Sequence, residues 1–537
     1  MGPVLKTSKP STGMDCSLHP SLARPLIQRG RVGSGGGGAR RRVAAAAAHA
    51  AGAALADARG AAPAAAPAPG GLPRVVPLAE QCRELREKLR GEVLAGGLVW
   101  LSAGDLQPRN GDVFHAFRAA SDFVYAAGVT EPGWGCLLDL DSGDFTLAAP
   151  RVPEDLAIWS GPQPSLDDAA SEVGAQRAVY LEDVKALVAS KAAAAAAAGG
   201  GGSVLVHTTE GMAAALAAAG IGGGGARVTT DFLPQALARS RARKTAAEIA
   251  CLLEANRVSA AAHEAAWAAC APGGFEYELE GAFVGACVAG GLRQLGYPCI
   301  VGAGPNAGVL HYERNTARIG RDDLVLIDAG AEFRCYTADI TRTFPAGGAF
   351  EARRRAVYEL ALAMQSAALA AVRPGAEWKA DVEAPARRLM LEGLRDMGLV
   401  RGDVEAMLQA RVDRVFCPHG LGHHLGLDVH DASEDGPVPA TLDAGNVVTC
   451  EPGVYFMPLL QRRALADAGQ APFLNAAELD KWAAVGGVRI EDNVALLPAA
   501  AGGGVLNLTA AAGAAPKGAA EIEAVMAAAR GGAAARR

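Results

Sequence analysis

The sequence lacks the marks of a membrane-spanning or a disulfide-stabilised protein. Its alanine-rich runs, residues 43–56 and 192–198, are bounded or interrupted by glycine and polar residues and are too weakly apolar for a spanning helix. The ten cysteines are scattered, with no Cys-x-x-Cys pair, so the pattern of a sulfur-ligated structural zinc is missing. A chain of this size also folds without disulfides, and we therefore expect a reducing compartment, the cytoplasm.

Strong net charge is absent as well. The chain has 51 Lys and Arg against 57 Asp and Glu, a net charge of −6, which argues against nucleic acid or an anionic membrane as the main partner. The glycine runs at residues 199–202 and 222–225 lack the Gly-Lys-Ser/Thr ending of a phosphate-binding loop. We interpret both runs as surface insertions.

Length and composition divide the chain into four segments. The 537 residues exceed one ordinary hydrophobic core, so at least two domains are expected. Residues 1–71 are rich in Ala, Gly, Pro and Arg and poor in acidic residues, which predicts a disordered leader; the alternative is an organelle transit peptide. We predict an N-terminal α/β domain with a mixed sheet at residues 72–240, a second α/β domain at residues 241–498, and an alanine- and glycine-rich low-complexity tail at residues 499–537.

Periodicity and turn signals predict the secondary structure of both domains. In the first domain they predict strands at residues 98–102, 123–127, 135–139, 178–181 and 203–207, and helices at residues 78–90 and 182–189. In the second domain they predict helices at residues 245–270, 275–295, 349–372 and 377–397.

Two aspartates lie in apolar strand patterns, where a charged side chain is unusual. An apolar run ends in Asp328, a second run after Gly330 leads to Asp339, and together the runs predict a β-hairpin. A carboxylate buried there costs several kcal/mol unless a positive group neutralises it, and no Lys or Arg occupies the matching alternate positions. We expect a metal ion; the alternative is a pair of turn or capping carboxylates.

Three further candidates, His423, Glu451 and Glu491, lie in equally apolar settings. Four carboxylates and one imidazole suit Mn²⁺, with Zn²⁺, Co²⁺ or Fe²⁺ as alternatives. Because four carboxylates repel one another around a single ion, two ions with bridging carboxylates are expected. Taken singly, Glu451 could be a turn residue, Glu491 could pair with Arg489, and His423 could be a core imidazole.

The chain resembles the pita-bread metallopeptidases, the family that contains methionine aminopeptidase, aminopeptidase P and prolidase. The resemblance rests on segments 328–345, 419–431, 451–456 and 486–492, with Val129-Thr-Glu-Pro-Gly133 in the first half, and it is nearest to prolidase, the Xaa-Pro dipeptidase. It implies a second domain with a curved antiparallel sheet, helices on the outer face of that sheet and the metal ligands on its inner face.

The resemblance also implies roles for individual residues. Two Mn²⁺ ions would hold a bridging hydroxide, Glu451 would be both ligand and general base, and His430 with His311 would stabilise the oxyanion. Of the neighbouring histidines it selects His423 as the ligand, with His424 turned away. The implied metal ligands are Asp328, Asp339, His423, Glu451 and Glu491, and the implied substrate-binding residues are Tyr297, His311, His419, His430 and Arg489.

One departure from prolidases concerns substrate length. Prolidases carry a longer loop between the positions of His430 and Glu451, with an arginine that grips the substrate carboxylate; here residues 431–447 are short and Pro437 aligns with that arginine. We expect a homodimeric hydrolase of Xaa-Pro dipeptides. The alternatives are an aminopeptidase P-like activity on longer peptides and a non-catalytic protein that binds peptides or partners.

Overall fold

The computed structural model describes residues 72–535, apart from residues 94, 200, 201 and 435, and it describes side chains up to residue 530. The predicted leader, residues 1–71, lies outside this range. Among the described residues, no helix combines the length and the apolar character needed to cross a membrane.

The N-terminal part is built on one mixed sheet, as predicted. The six strands have the order β6–β5–β4–β1–β7–β8; β4 is antiparallel to both neighbours, whereas the pairs β1–β7, β5–β6 and β7–β8 are parallel. The helices are α1 (Leu78–Glu92), α2 (Ser121–Ala127), α3 (Ala157–Ser160), α4 (Leu166–Val173), α5 (Val184–Ala197), α6 (Glu210–Ala218) and α7 (Leu233–Ala242). The strands are β1 (Leu98–Ser102), β2 (Pro108–Asn110), β3 (Val113–Phe114), β4 (Gly135–Asp139), β5 (Phe145–Ala149), β6 (Arg177–Tyr180), β7 (Val204–His207) and β8 (Ala226–Thr229).

The strand predicted at residues 123–127 is wrong, because this segment is helix α2. All five of its residues are buried, and a short, wholly apolar run does not distinguish a buried strand from a buried helix. The helix ends at Gly128, which has φ 71° and so adopts the left-handed conformation that commonly follows a helix.

The C-terminal part is built on short antiparallel sheets with helices around them. The sheet orders are β13–β10–β9, β14–β17–β18, β15–β16 and β11–β12. The strands are β9 (Ile300–Ala303), β10 (Leu324–Asp328), β11 (Glu332–Phe333), β12 (Tyr336–Thr337), β13 (Thr341–Pro345), β14 (Val447–Cys450), β15 (Gly453–Tyr455), β16 (Gly487–Arg489), β17 (Asp492–Leu496) and β18 (Val505–Asn507). The helices are α8 (Ala246–Ala269), α9 (Glu276–Ala289), α10 (Ala352–Ala371), α11 (Ala384–Asp396), α12 (Val404–Gln409), α13 (Asp413–Phe416), α14 (Pro458–Ala466), α15 (Ala476–Trp482), α16 (Leu508–Ala511) and α17 (Ala519–Ala535).

The predicted helices of this part exist, with two changes at their ends. Helix α8 begins where Thr245 and Glu248 cap each other through side chain and backbone, the reciprocal arrangement of a capping box. Helix α9 ends six residues earlier than predicted, before Gly290 and Gly291, the second of which has φ 93°. The helix predicted at residues 377–397 starts with the π-helical turn Trp378–Glu383 before α11.

The hairpin predicted around the two aspartates is present, with a smaller hairpin inserted. Strands β10 and β13 are antiparallel, with Asp328 opposite Thr341, and β11 and β12 form the insertion between them. After β10 the backbone at Gly330 passes close to that of Ala338. A Cβ atom at this position would lie 1.8 Å from the carbonyl oxygen of Ala338, so the approach requires glycine. Both aspartates therefore lie at the same end of this sheet.

The described side chains of the segment expected to be a low-complexity tail, residues 499–530, are partly packed into the fold. Strand β18 pairs with β17, and Leu508, Ile522 and Met526 are buried. Ile522 and Met526 are four residues apart and share one face of α17. The sequence predicts a frayed helix at residues 519–529, and the structure has the longer helix α17 there; a few large apolar residues among many alanines are enough to anchor it.

Candidate metal centre

The structure brings the five predicted ligands together from distant parts of the chain. Asp328 ends β10, Asp339 precedes β13, Glu451 follows β14, and Glu491 lies between β16 and β17. The fifth, His423, belongs to a loop that bridges to β14.

Four interatomic distances define the cluster. The Tyr297 hydroxyl lies 2.7 Å from Oδ1 of Asp328 and 2.5 Å from Oδ1 of Asp339. Nε2 of His423 lies 3.3 Å from Oδ2 of Asp339 and 3.4 Å from Oε1 of Glu451. One donor atom each of Asp339, His423 and Glu491 lies within 4.8 Å of the others.

The backbone around His423 determines which ring nitrogen faces the carboxylates. Nδ1 lies 3.0 Å from the carbonyl oxygen of His424, so it carries the proton and leaves the Nε2 lone pair for a ligand. The neighbouring His424 is buried, and burial together with the charge of Lys244 lowers its pKa to about 3. The cluster that could hold a metal includes His423 and not His424.

Two buried threonines that sequence analysis missed hold the two glutamates. Oγ1 of Thr341 donates to Oε2 of Glu491 at 2.6 Å, and Oγ1 of Thr449 donates to Oε1 of Glu451 at 3.2 Å. Alternation along a strand would have found them, because Thr341 is two residues from Asp339 and Thr449 is two residues from Glu451.

Arg489 pairs with Asp328, and not with Glu491 as one sequence alternative had it. Its guanidinium donates from Nη2 to Oδ2 of Asp328. It also donates from Nε to the Thr341 hydroxyl at 3.1 Å and from Nη1 to the Tyr455 hydroxyl at 3.0 Å. One of the four carboxylates therefore has a cation from the chain itself.

The pKa shifts of the cluster show that its carboxylates are only partly compensated. Burial and the charges of Asp339 and Glu451 raise the pKa of Glu491 well above its ordinary value. Burial, opposed by Arg489 and reinforced by Asp339, raises the pKa of Asp328 to about 6. Although burial opposes it, the hydrogen bond to Asp339 and the charge of Glu451 raise the pKa of His423 to about 9. These residues fit a divalent cation, since four carboxylates and a correctly oriented imidazole form an oxygen-rich donor set whose negative charge exceeds the positive charge that the chain supplies there.

Two of the predicted substrate-binding histidines, His419 and His430, lie against residues of the cluster. Nε2 of His419 lies 2.9 Å from the Tyr455 hydroxyl, and its Nδ1 lies 3.7 Å from Oε2 of Glu451. The His430 ring stands edge-on to His423 with centroids 4.5 Å apart. Burial and then the charge of His423 lower the pKa of His430, and the charge of His311 acts in the same direction. His311 itself is exposed and lies in a turn.

Family models match both parts of the chain. Residues 250–497 match metallopeptidase family M24, and residues 82–198 match the aminopeptidase P N-terminal domain. The human protein named Xaa-Pro dipeptidase is 36% identical over 467 residues, which cover 83% of this chain and 92% of the human one. A probable Xaa-Pro aminopeptidase of Aspergillus niger is 35% identical, covering 83% of this chain and 97% of its own.

Solved structures resemble the whole described fold. Aminopeptidase PepP of Pseudomonas aeruginosa aligns with a TM-score of 0.70 at 32% identity and covers 86% of this chain and all of its own. Aminopeptidase P of Escherichia coli in its low-pH form aligns with a TM-score of 0.73 at 30% identity, covering 84% and 99% of the two chains.

Gly422 provides a test of how the His423 loop is positioned. A Cβ atom at Gly422 would lie 2.2 Å from the carbonyl oxygen of Thr449 and 2.7 Å from the Trp378 ring, whereas one at Gly420 would meet its nearest neighbour at 3.8 Å. We expect Gly422→Ala to lower the free energy of unfolding by about 1–3 kcal/mol through overpacking, and to reduce bound metal. Gly420→Ala is the matched control. Equal metal content in the two variants would show that the loop tolerates the added methyl group.

Proposed function

The chain belongs to metallopeptidase family M24 and is a metal-dependent peptidase, and from this premise we propose that it hydrolyses the peptide bond that precedes proline. The observation that carries the proposal is the cluster of Asp339, His423 and Glu491, whose donor atoms lie within 4.8 Å of one another. Asp328 joins this cluster through the Tyr297 hydroxyl, and Glu451 lies beside His423. Support for the substrate class comes from relatives named as an Xaa-Pro dipeptidase and Xaa-Pro aminopeptidases.

These five residues hold two divalent ions, and Mn²⁺ is the proposed metal because the donors are mainly carboxylate oxygens. Bound there, such ions supply Lewis acidity that lowers the pKa of water toward ~7, so that a nucleophile is available at neutral pH. The charge balance supports two ions. Arg489 pairs with Asp328, which leaves three carboxylates without a cation from the chain, and a single divalent ion would not neutralise their mutual repulsion.

The chain's own groups then perform the proton transfers. Glu451 accepts the proton of the attacking water as the water oxygen bonds to the scissile carbonyl carbon. His430, assisted by His311, donates to the oxyanion that forms. His430 suits this task because its pKa is lowered, so its neutral ring donates a hydrogen bond without binding the substrate as a fixed charge. His419 and Tyr297 border the space in which the peptide is placed.

Glu451→Gln tests the base. The amide keeps the shape of the side chain but cannot accept the proton, so we expect kcat for release of proline from Ala-Pro at saturating Mn²⁺ to fall by about a hundredfold or more. Glu478→Gln, which removes a surface carboxylate paired with Lys481, is the control and should leave kcat unchanged. Metal analysis should find two ions per wild-type chain, and chelation should abolish turnover. Near-wild-type turnover of Glu451→Gln at full metal occupancy would remove Glu451 from the base role.

The preferred peptide is proposed to be the dipeptide. The long interval between Glu451 and Glu491 resembles that of prolidases and supports this proposal. A second candidate, an aminopeptidase P-like activity on longer peptides, is favoured by two observations. Residues 431–447 contain no Lys or Arg, and the guanidinium of Arg489 already donates to Asp328, Thr341 and Tyr455.

Substrate length separates these two activities. If the carboxylate that follows proline is bound by a positive group, Ala-Pro should show a higher kcat/KM than Ala-Pro-Ala, because burying that charge unpaired costs several kcal/mol. Ala-Pro amide is the matched control, since it differs from Ala-Pro only in lacking the negative charge. We expect the order Ala-Pro, then its amide, then the tripeptide. A faster tripeptide would support the aminopeptidase activity and leave the hydrolytic chemistry unchanged.

We also propose a homodimer, supported by an apolar surface on the N-terminal part. Ile158 and Trp159 on α3 are 81% and 83% exposed, and large apolar side chains presented together commonly mark an interface. Light scattering should give twice the mass of one chain, and the Ile158→Ser, Trp159→Ser double variant should shift it toward one chain. Leu459→Ser, at an exposed leucine on α14 in the C-terminal part, should leave the mass unchanged. The cytoplasmic location stays a prediction.

A further inference from the structure

The two carboxylate oxygens of Glu451 have different surroundings. Oε1 lies 3.4 Å from Nε2 of His423 and accepts a hydrogen bond from the Thr449 hydroxyl. Oε2 lies 3.7 Å from Nδ1 of His419, among the residues that border the peptide. One oxygen thus faces the metal ligands and the other faces the substrate side.

Thr449 can hold only the first of these oxygens. Its hydroxyl has a single proton, which it donates to Oε1 at 3.2 Å. The lone pairs of the same hydroxyl accept the backbone N–H of His423 at 3.0 Å. Because the amide occupies the acceptor side, the hydroxyl proton is directed at the carboxylate. One side chain therefore joins the loop that carries the imidazole to the glutamate.

The surrounding backbone makes this arrangement rigid. The amide of Thr449 donates to the carbonyl oxygen of His423 at 2.9 Å, and the amide of Glu451 donates to that of Leu421 at 3.0 Å. Thr449 is fully buried, and Gly422 packs against its carbonyl oxygen with no room for a side chain. The hydroxyl consequently has little freedom to point elsewhere.

Resting on the function proposed above, we propose that Thr449 is a positioning residue for catalysis. Its hydroxyl fixes Oε1 of Glu451 on the metal side and leaves Oε2 as the oxygen that accepts the proton of the attacking water. The O–H bond of the water breaks and its proton moves to Oε2. The water oxygen bonds to the scissile carbonyl carbon while the C=O π bond breaks and its electron pair moves to the carbonyl oxygen. Without the Thr449 hydroxyl, the carboxylate of Glu451 rotates between metal-facing and substrate-facing positions. Metal binding and proton transfer by Glu451 are then both weakened.

Two variants of Thr449 test the hydroxyl separately from the shape. Thr449→Val keeps the branched side chain and removes the hydroxyl, whereas Thr449→Ser keeps the hydroxyl. We expect Thr449→Val to weaken metal affinity, measured by chelator competition on the resting protein, by about tenfold. At saturating Mn²⁺ we expect its kcat for Ala-Pro to fall by about tenfold with KM nearly unchanged. Thr449→Ser should restore both quantities to near wild type.

Thr343 supplies a matched control. It is also a fully buried strand threonine, but its hydroxyl donates to the backbone carbonyl oxygen of Arg489 at 3.0 Å and touches no carboxylate. Thr343→Val should lower the melting temperature of the metal-free protein as much as Thr449→Val does, and should leave metal affinity and kcat intact. If Thr449→Val fails to fold, Thr449→Ala takes its place, because it loses the same hydroxyl without the valine methyl group opposite the His423 amide.

The outcomes separate this inference from the proposed function. If wild type hydrolyses Ala-Pro and Thr449→Val matches Thr343→Val in both metal affinity and kcat, Thr449 is only structural and the inference is wrong. If Thr449→Ser does not restore kcat, the inference is also wrong, because the hydroxyl would then not be the group that positions Glu451. If wild type does not cleave before proline at all, the proposed function fails, and the effect of Thr449→Val on metal affinity still decides the positioning role.

Discussion

The mutual repulsion of closely spaced carboxylates is the constraint on which the C-terminal part depends. Asp328, Asp339 and Glu491 are buried, and Glu451 lies beside them. Such charges are far more costly in a protein interior than in water. The guanidinium of Arg489 and hydrogen bonds from hydroxyl and imidazole groups stabilise these carboxylates in part. Divalent metal ions, which the family binds, would supply the remaining positive charge.

A second group of charges holds the strands that carry these ligands. Arg342 is buried and donates to the backbone carbonyl oxygens of Thr341 at 3.0 Å and Glu491 at 2.7 Å. Its Nε donates to the carbonyl oxygen of Ala515 at 2.8 Å. The C-terminal segment therefore completes the support behind the centre, which explains why a sequence rich in alanine and glycine is nevertheless packed there.

The local sequence pattern was enough to predict the helices and strands that carry the site, because strand ends, helix caps and glycine turns depend on residues that are close in sequence. The hairpin around Asp328 and helix α8 follow from such signals. Contacts across the chain are different: Arg489 and Asp328 are 161 residues apart, and their pairing depends on which strands become neighbours. The misassigned segment at residues 123–127 shows the same limit, since a short apolar run that is buried on all sides can form either a helix or a strand.

Glu491 and Asp492 show why a buried acidic residue is not by itself a functional signal. Asp492 is the first residue of β17 and Glu491 is the residue before it, and both are buried. Asp492 pairs with Arg342 at 2.8 Å and with Lys517 at 2.5 Å, and despite burial these charges lower its pKa to about 2. Glu491 has a threonine hydroxyl and three like charges. Burial and these charges raise its pKa, although the charge of Arg489 acts in the opposite direction. The fold has thus compensated one carboxylate completely and left its neighbour in need of a cation. This difference in compensation, and not burial or residue type, separates the structural acid from the one suited to a metal.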